Sequence, residues 1–417
     1  MPQIKEGGKM EQQNVDLVLL QTLYETLRNL LSAIDKASGS EPTAETFDVL
    51  QRIEILLQER ACFVSSDLFT SVTRNIETVL RAEHLNPLRI SNFSSGSVSG
   101  ALLCTIELDT NSWAIRRAIA KFAPGVGRRE RIGSELLKPH LLTPTVFPIV
   151  NPDLHIAAFV ENAKTLHELI ISRAKVWTIA KKVLKRNLKM WCATKALKDS
   201  RKFAGYGEKL DDTFNLLQEA TIMINAIKMK LGIVLDLPLV LNGLELPSLK
   251  EMFEIMKENI LSYPWICLQH GDEGAGNFLV TSEQNIYAID NEKVDYRLLP
   301  EGIVKFTNWF PEIMASPTKW DGSFNATIKN GQLIIDFETR FELRDYVKEC
   351  RKYMLDYLRS NGIAIDHRII SAFSMMFFLR AMQWAHRRRD VSGTDRSSFR
   401  PYLLGMALKE ASKMVKR

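Results

Sequence analysis

Over the first 86 residues apolar side chains recur every three or four positions. Between 14 and 37 they are Leu20, Leu23, Leu27, Leu30 and Ile34, and residues 43–60 and 66–84 repeat the pattern. That period marks amphipathic helices, so three are expected, parted by Ala37-Ser38-Gly39-Ser40-Glu41-Pro42 and closed by Asn86-Pro87. From Leu88 the period shortens to two. Residues 88–93 and 101–108 read as strands around a Gly/Ser-rich stretch at 94–100, 113–122 as a third, and 146–150 and 154–160 as two more. Pro124-Gly125-Val126-Gly127 separates the third strand from a helix that carries Glu130 and Glu135.

Thr165-Leu166-His167-Glu168 has the form of a capping box and opens a region of helical periodicity that runs to residue 262. Residues 277–281 and 286–290 then read as a hairpin around Ser282-Glu283-Gln284-Asn285, and 326–329 and 332–337 as another around Asn330-Gly331, a strong turn signal. Helices are expected at 339–361, at 366–389 and from 400 to the end. The richest apolar run, 369–379, is too short to cross a bilayer and reads as a buried helix, with Phe373, Phe377, Phe378 and Trp384 as core side chains.

Composition changes this picture little. A chain of 417 residues, 46% apolar and 25% charged, is ordinary for a globular protein of two or three domains. The cysteines at 62, 104, 192, 267 and 350 have no metal-ligand spacing, and Met1-Pro2-Gln3-Ile4-Lys5-Glu6 lacks the apolar core of a secretory signal. Reduced thiols and a cytoplasmic location are the expectation. Charge is more informative, because the net +6 conceals a strong local bias: residues 171–209 hold twelve Lys or Arg against Asp199 and Glu208. Lys181, Lys182, Lys185, Arg186 and Lys189 alternate there with Val183, Leu184, Leu188, Met190 and Trp191. The stretch reads either as the solvated face of an amphipathic helix or as a surface for an anionic partner such as nucleic acid.

The chemistry concentrates in His270-Gly271-Asp272, with Asn277 five residues after the aspartate and Asp290 eighteen after it. A turn centred between Glu283 and Gln284 would set Asn277 directly opposite Asp290, and paired positions on one face of a hairpin lie about 5 Å apart. One cation could then touch both. Asp272, in the loop before the first strand, reaches the same end and can accept a proton from an attacking hydroxyl.

This pattern, H-G-D-x-x-x-x-N, a hairpin, then Ile289-Asp290-Asn291-Glu292, resembles the aminoglycoside phosphotransferase and choline kinase family, the small-molecule branch of the protein-kinase-like fold. The resemblance implies an α+β, two-lobed protein-kinase-like fold: a small antiparallel β-sheet lobe at 87–161 and a mainly helical lobe at 162–417, here preceded by a helical extension at 1–86, which could serve a homodimer. It implies ATP and Mg2+, with Asp272 as base, His270 bracing the loop, and Asn277 and Asp290 as metal ligands. Ala118-Ile119-Ala120-Lys121 is similar to the segment whose lysine grips the α and β phosphates, with Glu130 or Glu135 as its partner, Glu130 fitting the family spacing better. Ser95, Gly96, Ser97 and Gly100 would cover the phosphates, and Glu161-Asn162-Ala163 would form the hinge against adenine. Glu273 and Asn291 depart from the family pattern. The acceptor would be a small hydroxyl compound: Asp295 and Glu301 point to a cationic amine, the basic insertion to an anion. A catalytically silent nucleotide-binding scaffold is the alternative.

Overall fold

The computed structural model describes residues 66–82, 87–95, 101–109, 115–148, 151–172, 176–199, 203, 205–222, 231–308, 322–339, 344–387 and 399–415. The chain divides into two compact units, Met1–Asn86 and Pro87–Arg417. In the first, helix α1 (Ser66–Ala82) matches the third expected helix and buries Ile76 and Leu80, one turn apart. The two helices expected before it, and most of the segment assigned to a homodimer contact, lie outside the described residues.

The second unit opens with four antiparallel strands in sequential order: β1 (Pro87–Ser95), β2 (Leu102–Leu108), β3 (Arg117–Phe122) and β4 (Leu154–Ala158). Alternation in β3 buries Ala118 and Ala120 on one face, and its centre pairs Lys121 with Leu103 on β2 and His155 on β4. Helix α2 (Val126–Leu137) crosses between β3 and β4. Of the strand expected at 146–150 the described part, 146–148, makes a single bridge, Val146 to Ala157. Pro148 explains its weakness, since it has no N–H to extend the ladder.

Beyond Glu161 and Asn162 the helical lobe begins with β5 (Ala163–Thr165) and α3 (Leu166–Ile171). The expected capping box is formed: Thr165 Oγ accepts from the Glu168 N–H, and the Glu168 carboxylate accepts from the Thr165 N–H. Helix α4 (Val176–Thr194) carries the basic stretch and buries Val183, Leu184, Leu188, Met190 and Trp191. Its cations are largely engaged. Lys182 donates to Gln284 Oε1, Arg186 to the Ile286 carbonyl at 3.2 Å, and Lys181 sits over the Tyr353 ring, which favours the amphipathic reading.

Strand β6 (Ala196–Leu197) and helices α5 (Gly207–Ile222) and α6 (Leu231–Asp236) follow. A short hairpin, β7 (Leu239–Leu241) and β8 (Leu244–Leu246), interrupts the region expected to be helical throughout. Its signal was Asn242-Gly243, both at positive φ, the residues a tight hairpin turn demands. After α7 (Leu249–Ser262) come β9 (Trp265–Gln269), β10 (Phe278–Thr281), β11 (Ile286–Ala288), β12 (Asp295–Leu298) and α8 (Leu299–Asn308). The Asn330-Gly331 hairpin is longer than expected, β13 (Gly322–Lys329) with β14 (Gln332–Thr339), and β14 joins β7 in parallel. Helices α9 (Arg344–Ser360), α10 (His367–Arg387) and α11 (Arg400–Val415) close the lobe within a few residues of expectation.

One apolar core unites this lobe, running from Trp191 through Ile303 and Phe373 to Leu408, and Phe373 and Phe378 are buried in it. Among the described residues no helix is long and apolar enough to cross a membrane, and Cys104, Cys192 and Cys267 are in no disulfide. A small antiparallel sheet followed by a mainly helical lobe is the two-lobed, kinase-like α+β arrangement the sequence predicted.

Candidate active site

The hairpin that carries Asn277 and Asp290 does not have the expected register. Phe278 pairs with Ala288 and Val280 with Ile286, so Asn277 stands opposite Ile289, whose N–H donates to the Asn277 carbonyl at 3.0 Å. The turn is centred on Glu283: its ends are tied by Thr281 N–H to the Asn285 carbonyl, and Gln284 adopts φ 63°. Three-residue hairpin loops use a left-handed residue at that place. A slip of one residue would turn Asp290 to the other face of the strand. The backbone leaves strand geometry at both places: Asn277 ends a 3-10 turn (Ala275–Asn277), and Asp290 itself is left-handed, φ 61° and ψ 53°, leading into a second such turn (Asn291–Lys293).

Asp290 reaches Lys121 through that kink, its Oδ1 accepting from the Lys121 ammonium. Lys121 also donates to Glu130 Oε1 at 2.8 Å and lies 3.4 Å from Glu292 Oε2. Glu130, only 2% exposed, is thus the partner left open by the sequence, while Glu135 is exposed and pairs with Lys138. The other carboxylate oxygen of Glu130 accepts the Asn291 N–H at 2.8 Å, and Asn291 Nδ2 donates to Ser134 Oγ at 3.0 Å. Asn291, a departure from the pattern the resemblance implies, therefore docks α2 onto the turn that follows the hairpin. Gly133 makes the approach possible: a Cβ there would lie 1.9 Å from the Asn291 carbonyl oxygen.

Charge is unbalanced at this point. One oxygen each from Glu130, Asp290 and Glu292 lies within 4.8 Å of the others, against Lys121 and, 3.8 Å from Glu292, Arg129. Burial raises the Glu130 carboxyl to about 7, more than Lys121 can offset. Burial opposes the Lys121 charge too, but Glu130 and Asp290 outweigh it and hold the ammonium above the ordinary lysine range. Glu292 Oε2 is buried and accepts no hydrogen bond. Clustered carboxylate oxygens with surplus negative charge fit a hard divalent cation. Glu292 joins that donor set; it was visible in the sequence as the last residue of the Asp-x-Glu motif but had been given no role.

The loop before the hairpin is held rigidly. His270 is fully buried; its Nδ1 accepts the Asp272 N–H at 3.3 Å and its Nε2 lies 2.8 Å from the Ile289 carbonyl, so Nε2 carries the proton. These two contacts tie the loop to the strand that carries Ile289. Asn277 Nδ2 donates to the Asp272 carbonyl at 2.9 Å, which fixes the orientation of the amide. Gly271 must be glycine, since φ is +81° and a Cβ would come within 2.0 Å of the Lys293 carbonyl oxygen. Buried Glu273, the other departure, accepts the Gly271 N–H at 3.1 Å. Asp272 Oδ2 pairs with Lys293 Nζ at 2.8 Å. Burial works against the charge of Asp272, but Lys293 and then Lys305 prevail, so its carboxyl is held below the usual range and is ionised at neutral pH.

The expectation for Glu301 is corrected here. Glu301 does not face a cationic ligand: it is 3% exposed and already surrounded by Lys209 and Lys305, each at 2.8 Å, and Arg297 at 3.5 Å. Asp295 caps the Tyr296 N–H at 2.7 Å. Glu161 lies in the turn between β4 and β5, and its exposed carboxylate is taken by the Arg117 guanidinium, 2.7 Å from Nε. Ser95 ends β1, paired with Leu102, while Gly96, Ser97 and Gly100 lie outside the described residues.

No family model matches the chain, and no curated protein matches it in sequence. In structure it is similar to the choline kinase of Streptococcus pneumoniae (11% identity, 82% of this chain and 99% of that one, TM-score 0.48) and to an ethanolamine kinase of Plasmodium vivax (14%, 93% and 95%, 0.48). It is also similar to a spectinomycin phosphotransferase solved with ADP and spectinomycin (11%, 82% and 98%, 0.45).

Proposed function

We propose that this protein is a small-molecule kinase that transfers the γ-phosphoryl group of ATP to a hydroxyl. One observation carries the reading: the Lys121 ammonium is shared between Glu130 of α2 and Asp290 of the hairpin, joining the two lobes at a point of surplus negative charge. In this reading Lys121 is the group that contacts the nucleotide phosphates. Magnesium, held by Asn277, Asp290 and Glu292, would neutralise the β and γ phosphates.

Asp272 accepts the proton of the acceptor hydroxyl as that oxygen bonds to the γ-phosphorus. The bond from that phosphorus to its bridging oxygen breaks, ADP keeps the electron pair, and Asp272 returns the proton to solvent. Lys293 keeps Asp272 ionised for this role, and His270 and Asn277 hold its backbone. Positioning and charge stabilisation account for the catalysis, with no covalent bond from protein to phosphoryl group.

ATP binding and turnover, each measured with and without magnesium, test the reading. Asp272→Ala should lower turnover by roughly a hundredfold to ten-thousandfold while nucleotide binding is retained. Undiminished turnover would refute the base assignment. Nucleotide binding without turnover by the unaltered protein on any hydroxyl acceptor would favour the silent scaffold.

A further inference from the structure

We propose that the acceptor carries an anionic group, a phosphate or a carboxylate, bound by Lys209, Arg297, Lys305 and Arg380 beside Asp272. This rests on the kinase reading and names the substrate class of that same site.

Four elements contribute these cations: α5 gives Lys209, β12 Arg297, α8 Lys305 and α10 Arg380. Three of them converge on one oxygen of buried Glu301. Arg380 donates to the Lys209 carbonyl at 3.3 Å and lies 3.8 Å from the exposed carboxylate of Asp212. Glu273 is the other buried acid of this neighbourhood, and it is committed to the Gly271 N–H. With Lys293 as a fifth, these cations face four carboxylates: Glu301, Glu273, Asp272, which Lys293 and Lys305 share, and Asp212 at the rim. Lys209 registers the surplus: burial first, then Lys305, Arg297 and Arg380, push it well below the ordinary lysine range. A cationic amine would add to that repulsion, and an anion would relieve it.

A second observation is independent of charge. Arg297 Nε is buried without a hydrogen-bond partner, and so are Glu301 Oε2, Glu273 Oε2 and Gln269 Oε1. A guanidinium N–H is best satisfied by an anionic oxygen, and the three acceptors by hydroxyl donors. A hydroxylated anion supplies both. The position suits the chemistry, because Lys305 also donates to the carbonyl of Gly271, the residue before Asp272. An anion held there keeps a neighbouring hydroxyl of the same molecule near the base. The side chains of the four cations are between 18% and 32% exposed, so the cluster is not sealed from solvent.

The test uses the full chain with matched acceptors: glycerol, ethanolamine and choline against D-glycerate and glycerol 2-phosphate, and D-ribose against ribose 5-phosphate. Magnesium-ATP binding is measured first, then transfer by phosphorus NMR. An anionic acceptor should exceed its uncharged analogue in kcat/KM by roughly a hundredfold. The carboxylate and phosphate arms identify which group is read. Lys209→Met and Lys305→Met should raise the KM of that acceptor by roughly tenfold to a hundredfold, with magnesium-ATP affinity changed by less than about twofold, and Lys209→Arg should recover part of the loss. Preference for a neutral or cationic acceptor overturns the proposal. If nucleotide binds but nothing in the panel is phosphorylated, titration with inorganic phosphate decides: binding lost in Lys209→Met supports it, and no binding by the unaltered protein refutes it. Absence of nucleotide binding refutes the kinase reading itself, and the substrate assignment falls with it.

Discussion

Two charged clusters flank the loop that holds Asp272, and they are opposite in sign. On one side Glu130, Asp290 and Glu292 crowd a single lysine, with Arg129 at the edge; on the other Lys209, Arg297, Lys305 and Arg380 crowd Glu301. Each side has more charge of one sign than its neighbours can balance. The acidic side joins the two lobes and suits a divalent cation; the basic side lies wholly within the helical lobe and suits an anion. Lys293 links them, paired to Asp272 and only one residue from Glu292 in sequence. Burying like charges together is costly, so two such clusters are a sign that binding partners complete them.

The contrast can be broken most forcefully on the acidic side. Lys121→Met should reduce kcat/KM for ATP by roughly a hundredfold to a thousandfold, the range seen when one preorganised electrostatic group is removed. A steady-state comparison with Lys305→Met sharpens the point: the first should act on nucleotide use and the second on the acceptor. Equal effects on both substrates from either variant would show that the two clusters are not separate sites.

Gly133→Ala attacks the same side through packing alone. Its Cβ would collide with the Asn291 carbonyl, so α2 should shift off the catalytic segment at a cost of about 1–3 kcal/mol, read as a lower midpoint in thermal or urea unfolding. Unaltered stability would mean that the lobes can separate here without strain.

pH probes the point between the clusters. Asp272 has a folded pKa below its unfolded value, so its pairing with Lys293 stabilises the fold above the ordinary carboxylate range near 3.9 and is lost as pH falls through the depressed value. The same sign applies to the part of the activity profile that Asp272 sets: its acid inflection should lie at or below the ordinary carboxylate range, apart from the one near 7 that belongs to Glu130. An inflection near neutrality that disappears in Lys293→Gln would contradict this account. The smallest effect belongs to Glu135→Gln, which should change stability by less than about 0.5 kcal/mol, because its exposed pair with Lys138 is a surface contact. A larger loss would reopen the choice between Glu130 and Glu135.

Local signals in the sequence were sufficient for much of the fold. The capping box at Thr165 and Glu168 formed as expected because all its atoms lie within four residues. The Asn330-Gly331 turn formed because it needs two residues of positive φ and little else. Asn242-Gly243 offered the same signal, masked by the helical periodicity around it. The strands β9 and β12 were less legible, because Trp265–Gln269 and Asp295–Leu298 are short and pair across a gap that contains the whole catalytic loop.

By itself the sequence determined the candidate residues and the local elements: the types and spacing of His270, Asp272, Asn277 and Asp290, the helical and extended stretches, and the amphipathic face of α4. Tertiary structure alone decided which charges meet. It chose Glu130 over Glu135, moved the hairpin register by one residue, brought Asp290 to Lys121 from a left-handed backbone, and enclosed Glu301 in cations from three elements. The physical reason is range. Helix caps and turns depend on neighbours along the chain, whereas burial and electrostatic pairing depend on groups brought together from positions more than a hundred residues apart, as with Lys121 and Asp290.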